Sequence, residues 1–377
     1  MNKKIYQICQ RCVMDTSDKD IVFDEKGYCN HCTNYFEKIK NRTYVGKETE
    51  KELKTIIKKI KNSGKNKKYD CLIGISGGID SSYVCYIAKQ YELRPLLIYI
   101  DNGWYSDYSR KNIQNISKIT GFEYQTYKLD EAEFNDLQLS FLKASVPETG
   151  TPIDNIIQGV LHKVAAQNDI KFIISGSNFA TEGILPKTWQ YDAKDLKYLK
   201  AIHKEFGLIP IKKTPLFDWK REIYYKFIKK IKIIYILNYV PFSLDDVLQT
   251  LKDKLNWEYY GGKHYESHYT TLIHSYYLPK KFNIEYRRAT LATRICNNQI
   301  SRNEALEILN EKPYDEEAIK EKVNFVIKKF GISLDEFNAI MNDKPKNYRD
   351  YPNSEKKLQF IYKIYLKYFR KFNYNNK

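Results

Sequence analysis

The run Cys71-Leu72-Ile73-Gly74-Ile75-Ser76-Gly77-Gly78-Ile79-Asp80-Ser81-Ser82 has residue types and spacing suited to holding a polyphosphate. A short apolar strand ends in a Ser-Gly-Gly turn, and an amphipathic helix begins at once. Gly77 and Gly78 let the backbone approach an anion closely and take conformations closed to other residues. The free N–H groups and dipole of the helix start point at the same anion. Ser76, Ser81 and Ser82 add hydroxyl donors. A Walker phosphate loop needs a longer glycine spacing and a Lys, and no Lys occurs between Lys68 and Lys89. Asp80 instead puts a carboxylate where a phosphate would dock. Two such anions share a site when a metal lies between them, and Mg2+ commonly bridges carboxylate and phosphate. The alternative is a glycine-rich turn with no ligand.

A second constellation opens the chain. Cys9-x2-Cys12 and Cys29-x2-Cys32 are separated by sixteen residues, the spacing of a four-thiolate zinc site. Ile21-Val22-Phe23 and the turn Asp24-Glu25-Lys26-Gly27 between them predict a ribbon strand and turn over residues 1–45. His31 lies inside the second knuckle, but Cys32 has the better spacing. An iron–sulfur cluster is an alternative; disulfides do not suit a cytosolic chain. All four ligand positions are filled, which fits a structural Zn2+. A ribbon this small needs the metal's binding energy to fold. The other three cysteines, Cys71, Cys85 and Cys296, read as small buried apolar residues.

The elements that position these groups follow from periodicity. Residues 46–68 carry nine Lys around the apolar spacing Leu53, Ile56, Ile57, Ile60, a basic amphipathic linker helix. From 69 to about 240, apolar runs at 70–75, 95–101, 123–128 and 171–175 alternate with helical patterns at 80–91, 107–120, 131–143 and 153–168. That alternation predicts an α/β fold with a doubly wound parallel sheet. Ligands in such sheets bind beyond the carboxyl ends of the strands. Three strand ends there are chemically rich: Ser76 to Ser82, Asp101-Asn102-Gly103-Trp104, and Ser175-Gly176-Ser177-Asn178. Asp101 suits a ribose hydroxyl or a capping role, and Gly176 a close approach of adenosine or an ordinary turn. Val146 to Pro152 reads as a rigid loop lining the same cleft. Residues 241–377 are helical, starting at Ser243. Trp257 to Tyr269 forms a polar-aromatic cluster holding Lys263, His264, Glu266 and His268, and Lys281 and Arg287 follow in a basic stretch.

Length and charge bound the class. The chain has 377 residues and 42% hydrophobic content, enough for a large domain with appendages. No stretch of membrane-spanning length and no signal-peptide core is present, so a cytoplasmic location is expected. Net charge is +17, which suits anionic partners. Lys outnumbers Arg heavily and Tyr reaches 33, a pattern of composition bias rather than of dedicated phosphate readers.

Ser-Gly-Gly-Ile-Asp-Ser-Ser resembles the pyrophosphate (PP) loop of the ATP pyrophosphatase superfamily, whose members split ATP into AMP and pyrophosphate. Taken with Cys9-Gln10-Arg11-Cys12-Val13-Met14-Asp15-Thr16, Asp101 to Trp104, Trp257 to Ser267 and Lys281-Phe282, nearly the whole chain resembles the N-acetyl sugar amidotransferases. That family includes lipopolysaccharide and pseudaminic-acid (flagellin-glycan) enzymes. The resemblance implies conversion of a sugar acetamido group to an acetamidino group through an adenylated imidate. It implies ATP and Mg2+ at Ser76, Gly77, Gly78, Asp80, Ser81, Ser82, Asp101 and Gly176. Asp80, Lys263 and Lys281 are then the catalytic candidates, and His264, Glu266 and Arg287 the substrate contacts. The partners implied are a nucleotide- or CMP-linked N-acetyl sugar and a separate glutaminase, with a cyclase-like conduit subunit between them; nucleic acid is not expected. The chain shows no glutaminase Cys of its own: Met1-Asn2 lacks an N-terminal Cys, and no Cys stands beside a convincing His. Two rival readings are a tRNA-modifying enzyme of thiolase or lysidine type, and a zinc-ribbon binding protein with a relic loop. Absence of Cys between Cys85 and Cys296 counts against sulfur transfer.

Overall fold

The computed structural model describes residues 5–39, 44, 46–261 and 265–369. Five strands form one parallel sheet: β1 (Cys71–Gly74), β2 (Pro95–Asp101), β3 (Tyr124–Lys128), β4 (Phe172–Ser175) and β5 (Lys232–Tyr235), in the order β3-β2-β1-β4-β5. Ile73 of β1 pairs with Leu97 of β2 on one side and Ile174 of β4 on the other. The first four strands lie where the apolar runs put them. β5 was not expected: it is four residues long, follows the Lys229-Lys230 pair, and sits on the sheet edge.

Successive strand residues point to opposite faces, and each face has its own core. Leu72, Leu96, Ile98 and Ile173 pack with Ile156, Val160 and Leu161 of a long crossover helix, α6 below. Cys71, Ile73, Leu97 and Ile174 face the other way. The early helices are α1 (Asn30–Ile39), α2 (Lys47–Ser63), α3 (Ile79–Gln90), α4 (Asp107–Thr120), α5 (Glu131–Lys143) and α6 (Thr151–Gln167). α2 puts Leu53, Ile56, Ile57 and Ile60 into the second core and ends at Ser63, with Gly64 as its C-cap, where the Ser63-Gly64 pair marks a stop.

The N-terminal knuckles lack the expected strand at Ile21–Phe23. Isolated bridges Ile8↔Asp15 and Phe23↔Cys29 replace it, and the second knuckle leads straight into α1. Val13, Met14 and Tyr35 belong to the same core as the sheet's first face. The segment is clamped to the helix Arg287–Cys296 and the one after it. Arg288 pairs with Asp15 at 3.0 Å and donates to the Val13 carbonyl at 2.7 Å, and Arg302 Nε donates to the Cys9 and Cys12 carbonyls at 3.1 Å. Docking therefore stabilises these knuckles alongside any metal. Beyond β5 the chain is helical, with Leu244–Leu255, Arg287–Cys296, Glu316–Phe330 and Glu355–Phe369 among the longer pieces. Ser243 stands at the start of its helix, but its side chain accepts no capping bond. No described helix is long and apolar enough to cross a membrane.

Candidate active site

Connections leave β1 and β4 in opposite directions, and in open sheets that divergence opens a crevice. The Ser76–Gly78 turn fills one lip of it. Gly77 has φ +74°, and a Cβ there would lie 2.3 Å from the Ser109 carbonyl oxygen, so only glycine fits. The turn is held from behind. Ser109 Oγ donates to the Ser76 carbonyl at 2.5 Å, and Trp257 Nε1 donates to the Gly77 carbonyl at 2.9 Å. Asn112 ties α4 to the Trp257 segment by accepting from Glu258 N and donating to its carbonyl. Gly78 N donates to Ser76 Oγ at 3.2 Å, and Ser81 Oγ donates to the Gly78 carbonyl. α3 starts without a side-chain cap, which leaves its first N–H groups for a ligand.

Asp80 is fixed on the first turn of α3, where Asn178 Nδ2 donates to its Oδ1 at 3.2 Å. A Cβ on Gly176 would lie 3.1 Å from both the Asp80 carbonyl carbon and Ser81 N. Its openness is thus taken up by α3, which presses on the end of β4. The Glu266 carboxylate lies over the turn: Oε1 is 3.0 Å from where a Gly78 Cβ would be.

The turn opens into a cleft of about 560 Å3. Its other wall comes from the 147–154 loop and start of α6, the 181–190 segment, and residues 266–290 of the helical region. Trp189 and Tyr286 bring aromatic surface, with His274 stacked on Tyr286 at 4.0 Å. Gln190 donates to Asp154 Oδ2 at 2.9 Å. Five carboxylates line the cleft, Asp80, Glu148, Asp154, Glu182 and Glu266; no Lys or Arg appears among the described lining residues. Burial pushes the Asp154 carboxyl up to about 7, opposed by the Gln190 hydrogen bond and aided by Glu182. Burial likewise pushes Glu148 up to about 8. Glu148 is only 2% exposed, accepts a long 3.4 Å bond from Tyr198, and leaves Oε1 without a partner. Thr151 Oγ1 and Trp189 Nε1 are also buried and unpartnered. Unmet polar groups around a cavity mark where ligand atoms or water belong.

Several sequence expectations need correction here. Of the two roles open to Asp101, the structure has the capping one, with Gly103 N donating to its Oδ1 at 3.0 Å, while the next residue, Asn102, lines the cleft. Ser82 is fully buried and does not line the cleft. Lys281 donates to the carbonyls of Ile340 and Asp343, and Arg287 pairs with Glu285 and donates to the Glu311 carbonyl. Both cations are spent on chain packing. Lys263 and His264 lie outside the described residues. His268 of the same cluster faces Lys322, whose Nζ lies 2.8 Å from its Nδ1. Asn178, Asp154, Glu148 and Gln190 were missed as individual site residues. The 147–152 loop and the 175–178 string flagged two of their neighbourhoods, but Asp154 and Gln190 sit in no local motif.

The four knuckle cysteines come together. Their sulfurs all lie within 4.8 Å of one another and are fully buried. Cys9–Cys32 is 3.8 Å, and Cys12–Cys29 and Cys29–Cys32 are 3.6 Å. A tetrahedral ion with bonds of about 2.3 Å sets its sulfurs roughly 3.8 Å apart, so the set fits one ion; a cluster would spread the thiolates further. Backbone N–H groups of Arg11, Cys12 and Cys29 point at Cys9 Sγ, as a thiolate requires. Cys296, placed in the core by its sequence context, packs on this centre through Cys32.

Residues 266–367 match the family described as LPS biosynthesis protein WbpG-like, C-terminal domain. No curated protein matches the chain. U34-tRNA thiolase NcsA from Methanococcus maripaludis, solved with its 4Fe–4S cluster, overlays at 16% identity and TM-score 0.35 over 81% of this chain and 89% of that one. NH3-dependent NAD synthetase from Campylobacter jejuni subsp. jejuni NCTC 11168 overlays at 18% identity and TM-score 0.29 over 54% and 83%. NMN synthetase from Francisella tularensis does so at 15% and 0.27 over 55% and 93%. Overlays this loose carry no functional weight, whereas the family match falls on the cleft's second wall. Residues 266–367, the stretch similar to the WbpG-like C-terminal domain of lipopolysaccharide biosynthesis proteins, bring Glu266, Tyr269, His274 and Tyr286 to the cleft.

Proposed function

We propose that this chain is an ATP-dependent amidotransferase of surface-glycan assembly, converting the acetamido group of a nucleotide-linked sugar or nonulosonic acid to an acetamidino group. The observation that carries the reading is one cleft with two unlike walls. The Ser76–Ser81 turn offers N–H and hydroxyl groups to a triphosphate, and the WbpG-like stretch faces it with aromatic rings and hydrogen-bonding side chains. Trp189 and Tyr286 suit the flat face of a sugar ring. A cleft without described Lys or Arg is a poor bed for a nucleic-acid backbone.

An amide oxygen is a poor leaving group. In the proposed reaction it attacks the α-phosphorus of ATP, pyrophosphate departs, and the oxygen becomes part of a good leaving group, AMP. Ser76, Ser81 and the α3 N–H groups hold the phosphates. Asp80, with Glu266 over the turn, fits a Mg2+ ion, which would offset the charge between these carboxylates and the phosphates. Asn178 keeps Asp80 oriented. Ammonia then displaces AMP. All seven cysteines are buried and none lines the cleft, which supports a separate glutaminase as the ammonia source. The knuckle ion is zinc in this reading, with a structural role.

The test is incubation with ATP, Mg2+, an ammonium salt and a panel of N-acetylated nucleotide sugars. AMP and pyrophosphate should appear together, with mass spectrometry showing one oxygen replaced by NH. Asp80→Ala is the matched control, expected to form no AMP while keeping its fold. Turnover with tRNA alone, or ADP as the product, would remove this function.

A further inference from the structure

The cleft's charge runs against that of the chain. The molecule carries +17, yet the described residues lining the cleft include five carboxylates and no Lys or Arg. Asp80 and Glu266 belong to the glycine turn. The other three, Glu148, Asp154 and Glu182, line the wall built from the 147–154 loop, the start of α6 and the 181–190 segment. Three carboxylates are an odd lining for a substrate that brings phosphates, and an apt one for a small cation. Acidity alone would not identify a ligand. Glu148 adds that evidence: it is 98% buried, lines the cavity, and keeps Oε1 without a hydrogen-bond donor. Thr151 Oγ1 and Trp189 Nε1, also buried and unpartnered, belong to residues lining the same cleft. Asp154 has one oxygen engaged by Gln190 at 2.9 Å, and no described residue bonds the other.

We propose that Asp154 binds the ammonium ion in this half of the cleft and takes its proton, delivering ammonia to the activated amide carbon. The proposal rests on the amidotransferase reading and assigns the second half-reaction. In neutral water ammonia is almost entirely ammonium, which has no lone pair with which to attack. An N–H bond breaks, its electron pair stays on nitrogen, and the proton goes to the free Asp154 oxygen. The lone pair forms the C–N bond to the imidate carbon, and the C=N π pair moves to the sugar nitrogen. That pair returns as the C–O bond breaks, and AMP leaves with the oxygen's electrons. A carboxyl raised to about 7 is a stronger base than an ordinary one, which serves this transfer. Gln190 is a positioning residue: its amide fixes one oxygen so that the other faces the cavity. The other titratable groups lining the cleft are Asp80 from α3, Glu148 from the loop before α6, Glu182, Tyr105 from the segment before α4, and Tyr260, Glu266, Tyr269, His274 and Tyr286 from the helical region.

The experiment uses the full chain and Asp154→Asn, with ATP, Mg2+ and an accepted sugar. Three readouts are compared: pyrophosphate exchange without amine, product formation with ammonium, and product formation with hydroxylamine, which is already uncharged at neutral pH. For Asp154→Asn we expect exchange within about twofold of wild type, an ammonium rate down by roughly 100-fold or more, and a hydroxylamine rate largely retained. The wild-type ammonium rate should rise with pH around 7, and the variant should lose that limb. Equal losses with both amines, or an unchanged ammonium rate, would overturn the proposal. Wild type that forms AMP with no sugar in the panel would instead remove the amidotransferase reading, and this step with it.

Discussion

Gly77, Asp80 and Glu148 show three ways in which one residue is tied to the cleft. Gly77 is dictated by a neighbouring carbonyl, because the Ser109 oxygen occupies the space a side chain would need. Asp80 is dictated by a partner, Asn178, from a strand end 98 residues on. Glu148 is set by what it lacks: burial holds its carboxyl near 8. Its cost to stability has a definite sign. Below about pH 4.5, the ordinary glutamic acid range, the carboxyl is protonated in folded and unfolded chains alike and costs nothing. Between there and about 8 the unfolded chain releases a proton that the folded chain retains, so stability falls as pH rises. Glu148→Gln is neutral throughout. Its melting temperature should gain on wild type as pH goes from 5 to 8, corresponding to a few kcal/mol at the upper end, and parallel curves would show an ordinary carboxyl. The glycines and Asp80 were legible because their spacing is local. Asp154 and Gln190 were not, since their pairing crosses 36 positions and no motif announces it.

Elements carry the link between the knuckles and the cleft. The Tyr35 ring of α1 stacks on Phe179 at 4.8 Å and 4°, one residue from the Asn178 that orients Asp80. Asp18 accepts from Thr188 Oγ1 at 2.6 Å, one residue from Trp189. Through these contacts the knuckles brace the 181–190 segment of the cleft's second wall. Stripping metal under reducing conditions should therefore lower the melting temperature by roughly 5 °C or more. It should also speed proteolytic cutting between residues 178 and 190, read by mass mapping; faster cutting confined to the first 40 residues would deny the brace. Strand and helix spacing made the α/β alternation and the paired knuckles readable. The docking of the knuckles on Arg288 and Arg302 joins positions nearly 300 apart, which periodicity does not encode. β5 escaped because four residues beside a Lys pair give too short a pattern.

On the scale of the molecule, a basic exterior surrounds an acidic, ring-walled cleft. The surplus of 63 Lys and Arg over 46 Asp and Glu invites loose attachment of RNA to the surface. It should not reach the nucleotide. Added bulk RNA is expected to leave AMP formation unchanged near physiological salt, and inhibition competitive with ATP would place a cation in the cleft. Charge and length were legible from composition; the inversion inside the cleft was not, because Lys281 and Arg287, basic in sequence, turn to carbonyls and Glu285. The bond from Trp257 to the Gly77 carbonyl spans 180 positions. A ribosome must therefore release most of the polypeptide before the glycine turn has its rear support, and a nascent or prematurely truncated product would carry the signature string yet grip nucleotide poorly.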